Sequence, residues 1–176
     1  TGLNIIPLNM NEIVSGIVSA MAFQINEAGA EVDVGDLPPC LGDPVQVGSA
    51  FSNVIGNALK YLEPDRKGKI SILGWAERGR AHYRVSDNGV GIPPDQQERI
   101  FGLFVRLDQT GGEGEGIGLT LARSVLGRMD GDIRVRSVPG KGSSFYVTLP
   151  STADKKTRRG RRKEDEPGSG HTDSRR

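Results

Sequence analysis

Three long segments of this chain carry apolar residues at helical spacing, and the strand-like runs between them do not alternate with them one for one. That order constrains the fold more than any other feature, because a parallel sheet wound by crossover helices requires alternation. The first segment, residues 10–28, places Ile13, Ile17, Val18, Met21 and Ile25 on one face. Asn9 stands as its N-cap with Glu12 three residues on, and Gly29 stops it. The second begins at Asp43-Pro44, a capping carboxylate followed by proline at the first helical position. Val47, Phe51, Val54, Ile55, Ala58 and Leu62 form its apolar face, and Pro64 ends it. The third runs over residues 117–129.

The strand readings are 5–8, 30–34, 70–77, 81–86, 133–138 and 143–149. Arg78-Gly79 joins one pair as a hairpin, and Pro139-Gly140-Lys141-Gly142 joins another. Pro38-Pro39 marks a loop, which takes Cys40 with it. The expected architecture is α/β: a two-layer sandwich, with a mixed sheet of about five strands in one layer and three long helices in the other. Residues 88–115 form a long glycine-spotted stretch with a short helical piece near Asp95 to Ile100. A stretch of that length inside a compact domain reads as a functional lid or as disordered.

Charge separates the chain into two parts. Residues 151–176 hold 9 Lys/Arg and 5 Asp/Glu, whereas the whole chain has 23 and 22. A mildly acidic body, residues 1–150, is therefore followed by a basic tail, which its polarity marks as disordered. The run from Lys155 to Lys163 has the charge to touch nucleic acid or anionic lipid, but a solvated tail is the preferred reading. The body gives no reason to expect specific nucleic-acid binding. Cys40 is the only cysteine, so no intrachain disulfide forms, and a cytoplasmic setting fits. No apolar run approaches the ~20 residues of a membrane span. The first residue is Thr1 rather than Met, so a longer, membrane-anchored parent is compatible with the sequence.

Three short segments carry chemistry. Asn53 and Asn57, four apart on the second helix, project from one face, with Lys60 and Tyr61 one turn further on. Such a row offers amide oxygens to a hard cation and an ammonium to phosphate, although an ordinary solvated helix face looks the same. Asp87 ends a strand just before Gly89, Gly91 and Ile92. A strand-end carboxylate accepts a hydrogen bond from the exocyclic amine of adenine, and its charge strengthens that bond. Guanine presents a carbonyl there and would be repelled. Gly114, Gly116 and Gly118 lead into Leu119 and the third helix, where unpaired N–H groups favour anions. No Gly-Lys-Ser/Thr follows, so this is not a Walker loop.

In this order and spacing, the segments resemble the boxes of the ATP-binding catalytic domain of sensor histidine kinases. That domain belongs to the superfamily of gyrase, heat-shock chaperone, histidine kinase and MutL ATPases. The resemblance covers about residues 5–150 and implies the Bergerat-type ATP-binding fold, with ATP and Mg²⁺ as cofactors. Asn53-x-x-x-Asn57-Ala-x-Lys60-Tyr61 is similar to the N box. By that likeness Asn57, with Asn53, would face Mg²⁺, Lys60 would contact phosphate and Tyr61 would flank the nucleotide. Asp87 to Ile92 is similar to the first glycine box, and Gly114 to Leu119 to the second. Ile100 to Leu107 resembles the F box, which would bring Phe104 to the nucleotide and Arg106 to the γ-phosphate. Ser144 takes the place of a hydroxyl that helps hold the adenine-binding carboxylate. Asn57, Lys60 and Arg106 are then the catalytic set.

The implied partners are a dimerisation segment bearing the phosphoacceptor His, in cis in a full-length homodimer, and a response-regulator receiver domain. This chain's own histidines do not fit the acceptor: His82 lies in a strand reading and His171 in the tail. A clamp-type ATPase of the same superfamily is the first alternative, but its water-orienting Glu is replaced by Asn53. A serine kinase sharing the nucleotide site and a non-catalytic ATP-binding module are the others. Trp75 and Tyr83 read as strand packing residues, and Cys40 as inert.

Overall fold

The structure is a computed structural model that describes residues 2–102 and 118–153. Phe104, Arg106, Gly114, Gly116, His171 and the basic run lie outside the described residues.

A short strand, β1 (Ile6–Leu8), leads into α1 (Met10–Ala20) and α2 (Ala22–Glu27). Asn9 caps α1 by accepting the Glu12 N–H at 3.3 Å. The continuous helix expected over 10–28 is broken at Met21, where φ is −94° and ψ 7°. The reason is packing. Met10, Val14 and Ile17 are buried in α1, whereas α2 buries nothing and Phe23 is 74% exposed. Gly29, at φ +61°, then ends α2 as expected, with Ala30 N–H bonded back to the Ile25 carbonyl at 3.1 Å.

Next come β2 (Glu31–Val34), β3 (Cys40–Gly42) and α3 (Pro44–Lys60). The Asp43 carboxylate caps α3 by accepting the Val45 and Gln46 N–H groups at 3.0 and 3.1 Å. The loop reading for Cys40 is corrected: β3 pairs antiparallel with β1, and Cys40 is fully buried. Its burial pushes the thiol up to about 11, which makes it inert. Two hairpins complete the chain: β4 (Lys69–Glu77) with β5 (Arg80–Asp87), and β6 (Asp132–Val138) with β7 (Gly142–Pro150), with α4 (Gly118–Arg128) between them. Arg78 and Gly79, both at positive φ, make the two-residue turn of the first hairpin.

The main sheet has the order β2-β4-β5-β7-β6. Only β2 and β4 run parallel; the other pairs are antiparallel, so the sheet is mixed as expected. Its inner face buries Ile70 and Ile72 on β4, Tyr83 and Val85 on β5, Phe145 and Val147 on β7 and Ile133 on β6. Against these lie Phe51, Val54, Ile55 and Ala58 of α3 and Ala122, Val125 and Leu126 of α4. Phe51 meets Tyr83 edge-on, ring centroids 5.4 Å apart, and the Tyr83 hydroxyl donates to the Pro38 carbonyl. Burial of a side chain the size of Phe51 or Tyr83 contributes about 1.5–3 kcal/mol. The packing continues one residue beyond 150: Ser151 is buried, and its N–H donates to the Gly79 carbonyl at 2.9 Å.

Candidate nucleotide site

The last two turns of α3 organise the site. Val54, Ile55 and Ala58 face the core, which leaves Asn53, Asn57 and Lys60 on the other side. There they line a cavity of about 630 Å³ together with Met21, Gly118 and Leu119. This falls within the ~300–1,000 Å³ usual for small-molecule sites. The Asn53 amide nitrogen donates to the Gly118 carbonyl at 3.1 Å, tying α3 to the start of α4. Its amide oxygen is left as an acceptor or metal ligand. The Asn57 amide has no hydrogen-bond partner among the described residues. Lys60 places its ammonium 5.5 Å from the Tyr61 ring centroid.

A second group gathers at the C-terminal edge of β5. Tyr61, the residue that closes α3, accepts the Val90 N–H on its carbonyl at 2.9 Å. Asp87 Oδ1 accepts the Gly89 N–H at 2.8 Å and the Ser143 N–H at 3.3 Å. Its other oxygen, Oδ2, has no partner among the described residues. Burial raises the Asp87 pKa above the ordinary carboxylate value, and the two N–H groups pull the other way. A half-buried acceptor with one open oxygen is suited to one directed hydrogen bond.

The glycines around Asp87 stand where chain segments meet closely. A Cβ on Gly89 would meet the Tyr61 carbonyl, one on Gly91 (φ +75°) the Val138 carbonyl, and one on Gly142 (φ +126°) the Asp87 carbonyl. They permit close chain-to-chain approach around Asp87. Ile92 is buried, and its N–H donates to Ser137 Oγ at 2.7 Å.

Ser144 is a correction. β7 pairs Ser143 with Asp87 and Ser144 with Ser86, so Ser144 points to the other face and its hydroxyl meets that of Ser86 at 2.8 Å. The hydroxyl on the Asp87 face is that of Ser143, 2.8 Å from Ser137 Oγ. The signal was present in the sequence: period-two alternation puts Ser143 on the side of buried Phe145 and Val147. His82 is part of the sheet, stacked on Trp75 at 5.3 Å and 3.4 Å from the Thr148 hydroxyl.

Residues 42–153 match the family described as histidine kinase-, DNA gyrase B- and HSP90-like ATPases. The chain belongs to that family. Several of its relatives are named sensor, sensory or histidine kinases. It is 35% identical over 143 residues to the phytochrome-like protein Cph1 of Synechocystis sp., a match covering 81% of this chain and 19% of Cph1. It is 43% identical over 116 residues to the adaptive-response sensory kinase SasA of Thermosynechococcus vestitus, covering 65% and 30%. The structure of full-length ShkA in complex with AMPPNP superposes with a TM-score of 0.74 at 27% identity, covering 85% of this chain and 32% of that one. This chain is thus a histidine-kinase-type ATP-binding catalytic domain, and it spans less than a third of each of these proteins.

Asp87 and the α3 row stand as two groups joined by the closing turn of α3: Asp87 is not part of the cavity lining. Two further side chains went unread in the sequence. Asn88 holds the chain on either side of Gly68, and Arg66 bonds the backbone of the loop after Asp87 and of the β6–β7 turn.

Proposed function

We propose that this domain binds ATP with Mg²⁺ and delivers the γ-phosphoryl group to a histidine of a separate dimerisation segment in a two-component sensor kinase. The observation that carries the nucleotide reading is the open Oδ2 of Asp87, held at a strand end by the Gly89 and Ser143 amides. In this reading the adenine amine donates to that oxygen, Tyr61 flanks the base, and the phosphates extend along α3 into the cavity lined by Asn53, Asn57 and Lys60.

The donor set fits a hard cation that shares its shell with phosphates. Asn57 and Asn53 are neutral oxygen ligands four apart on one helix face, and Mg²⁺ takes few protein ligands when phosphates supply the rest. When bound, the ion neutralises charge on the transferring group. The chain's own contribution is positioning: Asn53 fixes the start of α4, Lys60 supplies an ammonium, and Asp87 selects and orients the base. Arg106 is proposed to reach the γ-phosphate, and Phe104 to pack beside the nucleotide. A response-regulator receiver domain, and a homodimer in the full-length protein, complete the proposal.

Calorimetry with Mg·ATP and Mg·GTP tests it. ATP should bind, GTP should bind at least tenfold more weakly, and Asp87→Asn should weaken ATP by about tenfold or more, the scale of one charge-assisted hydrogen bond. Equal affinity for the two nucleotides, or a folded Asp87→Asn variant that binds ATP as before, overturns the assignment.

A further inference from the structure

The loop between α3 and β4 lies outside the motifs above, yet one of its side chains bonds both the segment that follows Asp87 and the turn that faces it. Arg66 Nε donates to the Asn88 carbonyl at 2.7 Å, and Nη2 donates to the carbonyls of Gly89 at 2.7 Å and Gly140 at 2.9 Å. Asn88 and Gly89 directly follow Asp87. Gly140 is in the turn of the β6–β7 hairpin, whose Gly142 packs on the Asp87 backbone. The two segments are also bonded to each other, Gly140 N–H to the Val90 carbonyl at 2.7 Å. Behind them, the Asn88 amide accepts the Lys69 N–H at 2.7 Å and donates to the Lys67 carbonyl at 2.9 Å.

We propose that Arg66 is a positioning residue for the nucleotide base. Rested on the nucleotide reading above, it goes further by naming what aims the carboxylate. The guanidinium draws three carbonyls of two segments onto one rigid fork. With the Asn88 and Gly89 carbonyls fixed, the Gly89 amide is held toward Asp87 Oδ1, and the direction of Oδ2 is set by the bonds on its twin. None of Arg66's partners lines the cavity of Asn53, Asn57 and Lys60. Its loss therefore acts on base recognition and leaves the phosphate end intact. The bonds to the Asn88 and Gly140 carbonyls are exposed and that to Gly89 is part-buried, so at least two of the three carbonyls can turn to water and the loop loosens without unfolding the sheet.

Calorimetry on the 176-residue chain with Mg·ATP, Mg·ADP and Mg·GTP decides it, using wild type, Arg66→Ala, Arg66→Lys and Asp87→Asn, each checked by circular dichroism. Arg66→Ala should weaken ATP and ADP by the same factor, about tenfold, and reduce the preference for ATP over GTP. Arg66→Lys should recover only part of the loss, because a point charge cannot serve three carbonyls. Unchanged affinity and base preference in folded Arg66→Ala overturns the proposal. So does a loss for ATP but not ADP, which marks a phosphate contact, or full recovery with Lys, which marks charge alone. If Arg66→Ala fails to fold, Arg66→Lys bears the test: a partial, equal loss for ATP and ADP supports positioning, and wild-type binding overturns it. A wild type that does not distinguish ATP from GTP overturns the base reading itself; a discriminating wild type indifferent to Arg66 overturns only the positioning role.

Discussion

At the scale of single residues, the proposed role of Asp87 sets stability against recognition. Burial holds its pKa above the ordinary value, so its neutral form is the one the fold favours. The sign follows by linkage. Below the unfolded-state pKa the neutral carboxyl costs nothing extra, and as pH rises through the raised folded-state pKa stability is lost. Asp87→Asn keeps an acceptor for the Gly89 and Ser143 amides and removes the charge. Thermal melts at neutral pH should therefore show the variant as stable as wild type or more so, with the difference closing as pH falls into the ordinary carboxylate range. Adenine-nucleotide affinity of the wild type should move the other way, rising with pH as the acceptor ionises. A variant that melts well below wild type at pH 7 would contradict both. Asn57 has the simpler profile of an amide without a side-chain bond among the described residues. Asn57→Ala should shift stability by no more than about 0.5 kcal/mol in urea unfolding, while the Mg²⁺-dependent part of ATP affinity falls.

At the scale of elements, α3 carries both the core stripe and the polar row, so whatever fixes its start also fixes the site. Asp43 does this through both oxygens: Oδ2 accepts the Asn4 N–H at 2.9 Å while Oδ1 caps α3. These bonds, the one from Asn4 first, lower its pKa. A depressed carboxylate contributes stability above its unfolded pKa and loses it as pH falls through the lower, folded value. Asp43→Ala should lower the melting temperature at pH 7, and the gap to wild type should narrow in acid. Asp43→Asn should lie between them, since an amide oxygen still caps. A pH-independent gap would place the effect elsewhere. At the other end of the site, α4 is held by the Thr120 hydroxyl, 2.9 and 2.8 Å from the carbonyls of Phe101 and Gly102, and by Arg123 over the Phe101 ring at 5.0 Å. The described end of the lid stretch, with a single 3₁₀ turn at Arg99–Phe101, is thereby joined to the helix that begins at Gly118.

At the scale of the whole molecule, the question is what this chain does alone with bound ATP. His82 is stacked in the sheet against Trp75 and is not on a helix. By the resemblance to the N box, Asn53 would stand where a hydrolase of the superfamily has its Glu, and its amide nitrogen donates to the Gly118 carbonyl. No group among the described residues is thus placed to present a phosphoacceptor or to activate water. Without a positioned nucleophile the several kcal/mol that orientation supplies are missing. Labelled ATP should bind the 176-residue chain yet give negligible acid-labile phosphoprotein and little free phosphate. Adding a cognate His-bearing dimerisation segment should restore transfer in trans. Robust hydrolysis by the chain alone would favour a clamp-type ATPase.

The sequence by itself determined whatever depends on neighbours along the chain. The caps at Asn9 and Asp43, the turn at Arg78-Gly79, the stop at Gly29 and the apolar face of α3 follow from local geometry, whereas α1 buries Met10 and Val14 beside Ile17 of the face read from spacing. The row of Asn53, Asn57 and Lys60 follows too, because spacing on a helix fixes direction. Tertiary structure decided what depends on residues far apart. Met21 breaks the first helix because the core it could cover ends there. Cys40 became strand because β1 offered unpaired backbone groups across some thirty residues. The parallel pairing of β2 with β4 and the choice of Ser143 over Ser144 rest on sheet register, which one residue of shift inverts. Arg66 carries no motif at all. Its place beside Asp87 exists only because two loops and a hairpin meet there, and hydrogen bonds to backbone carbonyls leave no mark on the identity of the residues that offer them.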